Sequence, residues 1–116
     1  MPVLLIMTNL PDTESAQSLA THLVEQRLAA CVNILAACRA VYRWKGEIET
    51  ASEVPLLIKT TAERYGALEA AILAHHPYEL PEIIAVPVEG GLPEYLAWVT
   101  RETDQSNTPN NSGLSC

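Results

Sequence analysis

Between an apolar stretch ending at Ala74 and the apolar run Ile83-Ile84-Ala85 lies the densest group of reactive side chains in the sequence, His75-His76-Pro77-Tyr78-Glu79-Leu80-Pro81-Glu82. Two imidazoles, a phenol and two carboxylates share one bend, and zinc, copper and nickel take imidazole readily. Pro77 and Pro81 stiffen the bend, because each fixes its own φ and pushes the preceding residue toward extended geometry. A rigid connection rich in ligand-type side chains is where a binding site is expected. The plainer reading is a tight turn whose histidines cap a helix C-terminus, where a positive charge meets the helix dipole favourably. Adjacent helical residues point about 100° apart, so both rings reach one ion only if the helix has ended; Pro77, by forcing His76 out of helical geometry, permits that. Cys31, Cys38 and Cys116 show no C-x-x-C spacing. Cys31 and Cys38 lie in apolar surroundings and read as buried small hydrophobes, whereas Cys116 ends a polar tail and reads as exposed.

The elements that must position these groups follow from periodicity. Val3-Leu4-Leu5-Ile6-Met7 is continuously apolar, as a strand covered on both faces would be. Asn9-Leu10-Pro11-Asp12 supplies a turn and an N-cap, and Ala16, Leu19, Ala20, Leu23, Val24 and Leu28 recur at helical spacing over about four turns. A second strand is expected from Cys31 or Val32 through Trp44, then a two-residue Lys45-Gly46 hairpin turn. In the return strand Ile48, Thr50, Ser52, Val54, Leu56 and Ile58 share one face. Each arm approaches a dozen residues, about twice a typical strand, and the helices are too short to cover such a ribbon. Thr60 and Glu63 have capping-box spacing before a second helix with Tyr65, Leu68, Ala71, Ile72 and His75 along one stripe. Ile83 to Val86 reads as a short buried strand stopped by Pro87. Pro93 then suits the first position of a last helix carrying Leu92, Leu96 and Val99. The order strand, helix, strand, strand, helix, strand, helix matches an α+β, ferredoxin-like split βαβ plan: an antiparallel sheet with an extended β-hairpin and an extra C-terminal helix. Residues 1–103 make the one domain, and 104–116 read as a disordered tail without periodicity.

With 116 residues and 48% apolar composition, the chain has the makings of one ordinary globular domain. No apolar stretch approaches the roughly 20 residues that span a bilayer, and Val3 to Met7 is too short for a signal-peptide core, so no membrane partner and a cytoplasmic location are expected. A formal net charge of −7 repels phosphate backbones and argues against nucleic acid as a partner. The same plan hosts acyl-phosphate hydrolases, but that chemistry wants a Gly-rich, Arg-bearing loop after the first strand, and Asn9-Leu10-Pro11-Asp12 offers neither.

Taken together, Leu28-Ala29-Ala30-Cys31-Val32-Asn33-Ile34, Tyr42-Arg43-Trp44-Lys45-Gly46-Glu47-Ile48-Glu49, Lys59-Thr60-Thr61, the His75 to Ala85 block and Tyr95-Leu96-Ala97-Trp98 resemble the CutA divalent-cation-tolerance proteins over Val3 to about Thr103. The resemblance implies a tight homotrimer in which the long hairpin reaches neighbouring subunits. It implies tolerance to divalent metals, copper binding and no enzymatic activity, with no cofactor needed for folding. Its metal site corresponds to His75 and His76 together with a cysteine near the end of the first strand, a slot held here by Met7. A thioether suits Cu(I) better than Zn(II). In architecture the family also resembles the PII signalling proteins, which bind small effectors between subunits. The residues matching that cleft are Trp44, Lys59, Tyr78 and Glu82. Read structurally, Trp44 is a hairpin-tip anchor, and Lys59 with Glu82 an interface ion pair.

Overall fold

The computed structural model describes residues 2–105, so the expectations for Cys116 and for most of the tail lie outside the described residues. Eight elements follow one another: β1 (Val3–Leu10), α1 (Thr13–Glu25), β2 (Cys31–Ile34), β3 (Cys38–Trp44), β4 (Glu47–Thr61), α2 (Tyr65–His75), β5 (Ile84–Pro87) and α3 (Pro93–Glu102). The sheet runs β2-β4-β1-β5 with every neighbour antiparallel, and β3 pairs with the distal half of β4. At about 3.3 Å per residue the fifteen residues of β4 span about 50 Å, which matches the 47 Å long axis of the molecule.

One expected strand is broken. Ile34 sits opposite Leu56 and Cys38 opposite Glu53, so Leu35, Ala36 and Ala37 face only Val54 and Pro55. The extra residue is accommodated as a bulge would be, at the point where Pro55 has no N–H to offer the ladder. Beyond it, β3 and distal β4 form a ribbon with Val41 68% and Ile48 62% exposed. The turn at its tip is as expected: Lys45 (φ 49°) and Gly46 (φ 83°) both take left-handed geometry, which suits the twist of a two-residue hairpin. The ribbon raises the radius of gyration to 14.9 Å, against about 13 Å for a compact chain of this length.

Alternation sorts the sheet into two faces. Ile6, Leu10, Val54, Leu56 and Ile58 point to α1 and α2, where Leu19, Leu23, Leu68 and Ile72 complete the core. Asp12 caps α1 as expected, its carboxylate accepting the Ser15 N–H at 2.7 Å. The capping box at Thr60 does not form. β4 continues through Thr61, Thr60 is buried with its hydroxyl donating to the Leu28 carbonyl at 2.7 Å, and α2 opens at Tyr65 without a side-chain cap. Tertiary burial of a β-branched residue outweighs the local capping signal here.

The opposite face holds Val3, Leu5, Met7, Leu57, Lys59, Ile84 and Val86, fixed by the pairings Leu5 to Lys59, Met7 to Leu57, Leu5 to Val86 and Met7 to Ile84. Helix α3 covers only its Val3 and Cys31 end, through Trp98 and Val99. β5, expected to be buried, is therefore exposed along its length, with Ile84 at 45% and Val86 at 40%. Cys31 is buried as expected, while Cys38, on the ribbon, is exposed.

Candidate functional site

The His-rich bend begins where α2 ends. His75 is the last helical residue and His76 is extended (φ −86°, ψ 132°), the geometry that Pro77 imposes on its predecessor. The two rings diverge. His76 Nε2 lies 2.6 Å from the Asn9 carbonyl, and His76 Nδ1 accepts the Tyr78 N–H at 3.2 Å. That pattern sets the tautomer: Nε2 carries the proton and donates, and Nδ1 accepts. Both nitrogens are thus engaged in fastening the bend to the end of β1. The His76 ring also packs against Tyr78, tilted, with 4.8 Å between centroids.

His75 turns the other way. Its Nδ1 lies 2.8 Å from the Ala71 carbonyl one turn back, so Nδ1 holds the proton and Nε2 keeps an uncommitted lone pair. Its ring meets His22 of α1 with 4.4 Å between centroids. Met7 pairs with Leu57 and Ile84 on the open face of the sheet, whereas its neighbours Ile6 and Thr8 point into the core between sheet and helices. Within one chain, therefore, the structure does not bring Met7, His75 and His76 to a common point. Among the described residues no three His, Cys, Asp or Glu side chains are grouped to hold a metal ion. The three side chains implied by the resemblance thus stand apart in a single subunit, with His75 on the helix side of the sheet and Met7 on its open face.

The four cleft residues are also dispersed. Trp44, half-buried at the ribbon tip and facing Glu47, is twelve strand residues from Lys59, about 40 Å away. The Lys59 ammonium bonds Asn33 Oδ1 and lies 3.6 Å from Cys31 Sγ; partial burial lowers its pKa. Glu82 accepts the Asn9 amide at 3.0 Å and so does not pair with Lys59 in the same chain. Tyr78 lies against the ribbon. Burial, then a hydrogen bond to the Glu53 carboxylate, pushes its phenol up to about 12. One residue along, Glu79 meets Lys45 at 3.8 Å, both largely exposed. The bend is consequently strapped at one end to Asn9 and along its length to the ribbon.

Sequence reasoning missed His22, Asn9 and Glu53. Asn9 carried no signal beyond lying near the end of a strand, and Glu53 none beyond its place in the alternation of the return strand. Nothing in the spacing connects position 22 with position 75; only the packing of α1 on α2 does.

A family model described as CutA1 divalent ion tolerance protein matches residues 4–102. The divalent-cation tolerance protein CutA of Thermus thermophilus is 43% identical over 98 residues, covering 84% of this chain and 95% of that protein. The rice protein CutA 1, chloroplastic, is 37% identical over 106 residues, 91% of this chain, which spans 60% of the rice protein's length. The crystal structure of CutA from Xylella fastidiosa is 50% identical and superposes with a TM-score of 0.86 over 88% of this chain and 98% of that one. Fold, element order and sequence agree across nearly all described residues, and the chain belongs to the CutA1 divalent ion tolerance protein family.

Proposed function

We propose that the protein works as a non-enzymatic homotrimer of ferredoxin-like subunits that binds divalent cations, copper foremost, in the cytoplasm. The strand order β2-β4-β1-β5 with α1 and α2 on one face supports the ferredoxin-like assignment. The observation that carries the assembly is the unshielded apolar face formed by Leu5, Met7, Leu57, Ile84 and Val86, beside a ribbon with exposed Val41 and Ile48. Covering the exposed part of each such side chain stabilises by about 1 kcal/mol, and a second and third copy offer the matching surface under rotational symmetry. Of the three ligands implied by the resemblance, His75 best supports cation binding, because its Nε2 is uncommitted. Met7 lies on the face that assembly would cover, so its thioether meets an ion only at a subunit junction. The rice relative is named chloroplastic, so the cytoplasmic assignment is tested separately, by cell fractionation. No helix among the described residues is long and apolar enough to cross a membrane.

A second reading, a regulator that binds a small effector between subunits, rests on the 40 Å between Trp44 and Lys59. Only a neighbour's ribbon would unite them in one cleft.

Light scattering tests the assembly directly. The expected mass is about three times the 12.6 kDa chain, and Ile84→Asp, which places a charge on the face to be buried, should yield a smaller species. A wild-type monomer at micromolar concentration would end this reading. Calorimetric titration with Cu(II) tests the cation arm separately.

A further inference from the structure

His22 lies in the last turn of α1 and His75 ends α2. We propose that these two imidazoles form a binding site for a divalent transition-metal ion on the helix-covered side of each subunit. The inference rests on the cation-binding reading and gives it a location that the paired histidines 75 and 76 do not provide.

Three observations carry it. First, the ring centroids are 4.4 Å apart. Metal–nitrogen bonds of about 2.0–2.1 Å place two coordinated nitrogens about 3 Å apart, a separation that two rings in contact can span. Second, His75 already has the support that metal-bound histidines use: its Nδ1–H donates to the Ala71 carbonyl at 2.8 Å, fixing the tautomer that leaves Nε2 as the ligand. His76 has no such nitrogen to give, since Asn9 and Tyr78 occupy both. Third, both rings sit at helix C-terminal turns, where the carbonyl ends of the helix dipoles favour positive charge.

The donor set selects the ion. Imidazole nitrogen suits Cu(II), Ni(II) and Zn(II) and is a poor match for Mg(II) or Ca(II), which take oxygen. With two protein ligands and no third His, Cys, Asp or Glu grouped with them among the described residues, water fills the remaining positions and the ion stays exchangeable. The site also lies away from the open sheet face, on the far side of the β-sheet from Met7 and Ile84. Assembly through that face leaves it accessible, so a trimer would carry three such sites.

The experiment is a Cu(II) titration of the full chain with a competing chelator, combined with pulsed electron paramagnetic resonance to count coordinated imidazoles. Wild type should show two. His22→Gln and His75→Gln should each leave one and weaken binding by about 10- to 100-fold, with circular dichroism confirming the fold. Zn(II)-induced shifts of the His22 and His75 ring protons in the wild-type protein give the same answer without substitution. Wild-type affinity and an unchanged imidazole count in His22→Gln, or His22 ring protons that ignore Zn(II), would reduce the ring pair to a packing contact and overturn the site. Failure of wild type to bind Cu(II) at all would instead overturn the cation-binding reading on which the site depends.

Discussion

Replacing His76 by Ala separates a structural imidazole from a ligand. The substitution removes the bonds to the Asn9 carbonyl and from the Tyr78 N–H, together with the ring contact to Tyr78. A typical intramolecular hydrogen bond contributes about 1 kcal/mol net, and a partner left unsatisfied costs more where water cannot replace it. His76 is half-buried and the Asn9 carbonyl lies at the end of a core strand. The total should therefore be about 2 kcal/mol. An unfolding entropy of about 2.1 cal/mol/K per residue gives roughly 0.2 kcal/mol/K for the hundred or so residues of this domain, so Tm should fall by about 8–10 °C. Partial replacements refine the argument. Asn can place an oxygen near the Nδ1 position and keep the Tyr78 bond, and Gln can reach the Asn9 carbonyl, so each should lose about half as much. Differential scanning calorimetry measures the stability and a chelator competition the copper affinity. Stability should fall while affinity holds. An unchanged Tm with a tenfold or greater loss of copper affinity would show that the ring gives up both hydrogen bonds to serve the ion.

Other expectations are simpler. Leu56→Ala, at a fully buried position of the long strand, should destabilise by about 2–5 kcal/mol in chemical denaturation. Thr60→Val should cost about 1–3 kcal/mol by stranding the Leu28 carbonyl; no change would mean that water replaces the hydroxyl. Lys45→Asn, at a left-handed turn position better suited to Asn, should raise stability by up to about 1 kcal/mol, read from the denaturation midpoint. In a spectrophotometric titration, Tyr78→Phe should delete the phenol that ionises near 12. Because the folded value lies above the ordinary value of 10.0, the stability linked to that phenol is complete below pH 10 and fades as pH rises through 12; an alkaline limit unaffected by the substitution would contradict the burial and the Glu53 bond that together raise it.

The fold was legible where local chemistry and tertiary packing agreed. Asp12 closes α1 because the caps of an amphipathic helix are set within one turn of sequence. The Lys45-Gly46 turn could be read because two-residue hairpins restrict their central residues so strongly. Misreadings arose where a non-local partner decided. Thr60 carries a capping signal, but a buried place opposite Leu4 and a bond to the Leu28 carbonyl keep it in the strand. The break after Ile34 comes from one extra residue facing Val54 and Pro55, a count visible only once the register is known. β5 has the apolar composition of a buried strand and an exposed position, and both hold if its cover belongs to another copy of the chain.

The same distinction governs the candidate site. Adjacency in sequence made His75 and His76 look like a pair, yet the residue before a proline leaves helical geometry, so the two rings part company at that bond. His76 goes to the strand end and becomes a fastener; His75 stays on the helix and meets a histidine fifty-three positions earlier. Helix packing, which sequence spacing does not encode, therefore chooses His75's partner. If cation binding depends on that partner, substitutions in the α1–α2 contact that leave every histidine in place should also weaken it. Ala71→Val, at the helix turn whose carbonyl orients His75 and beside the core, is the test of choice. Affinity tracking the geometry of that contact would tie the chemistry to the helix layer, while indifference to it would place the ion with the sheet face and Met7.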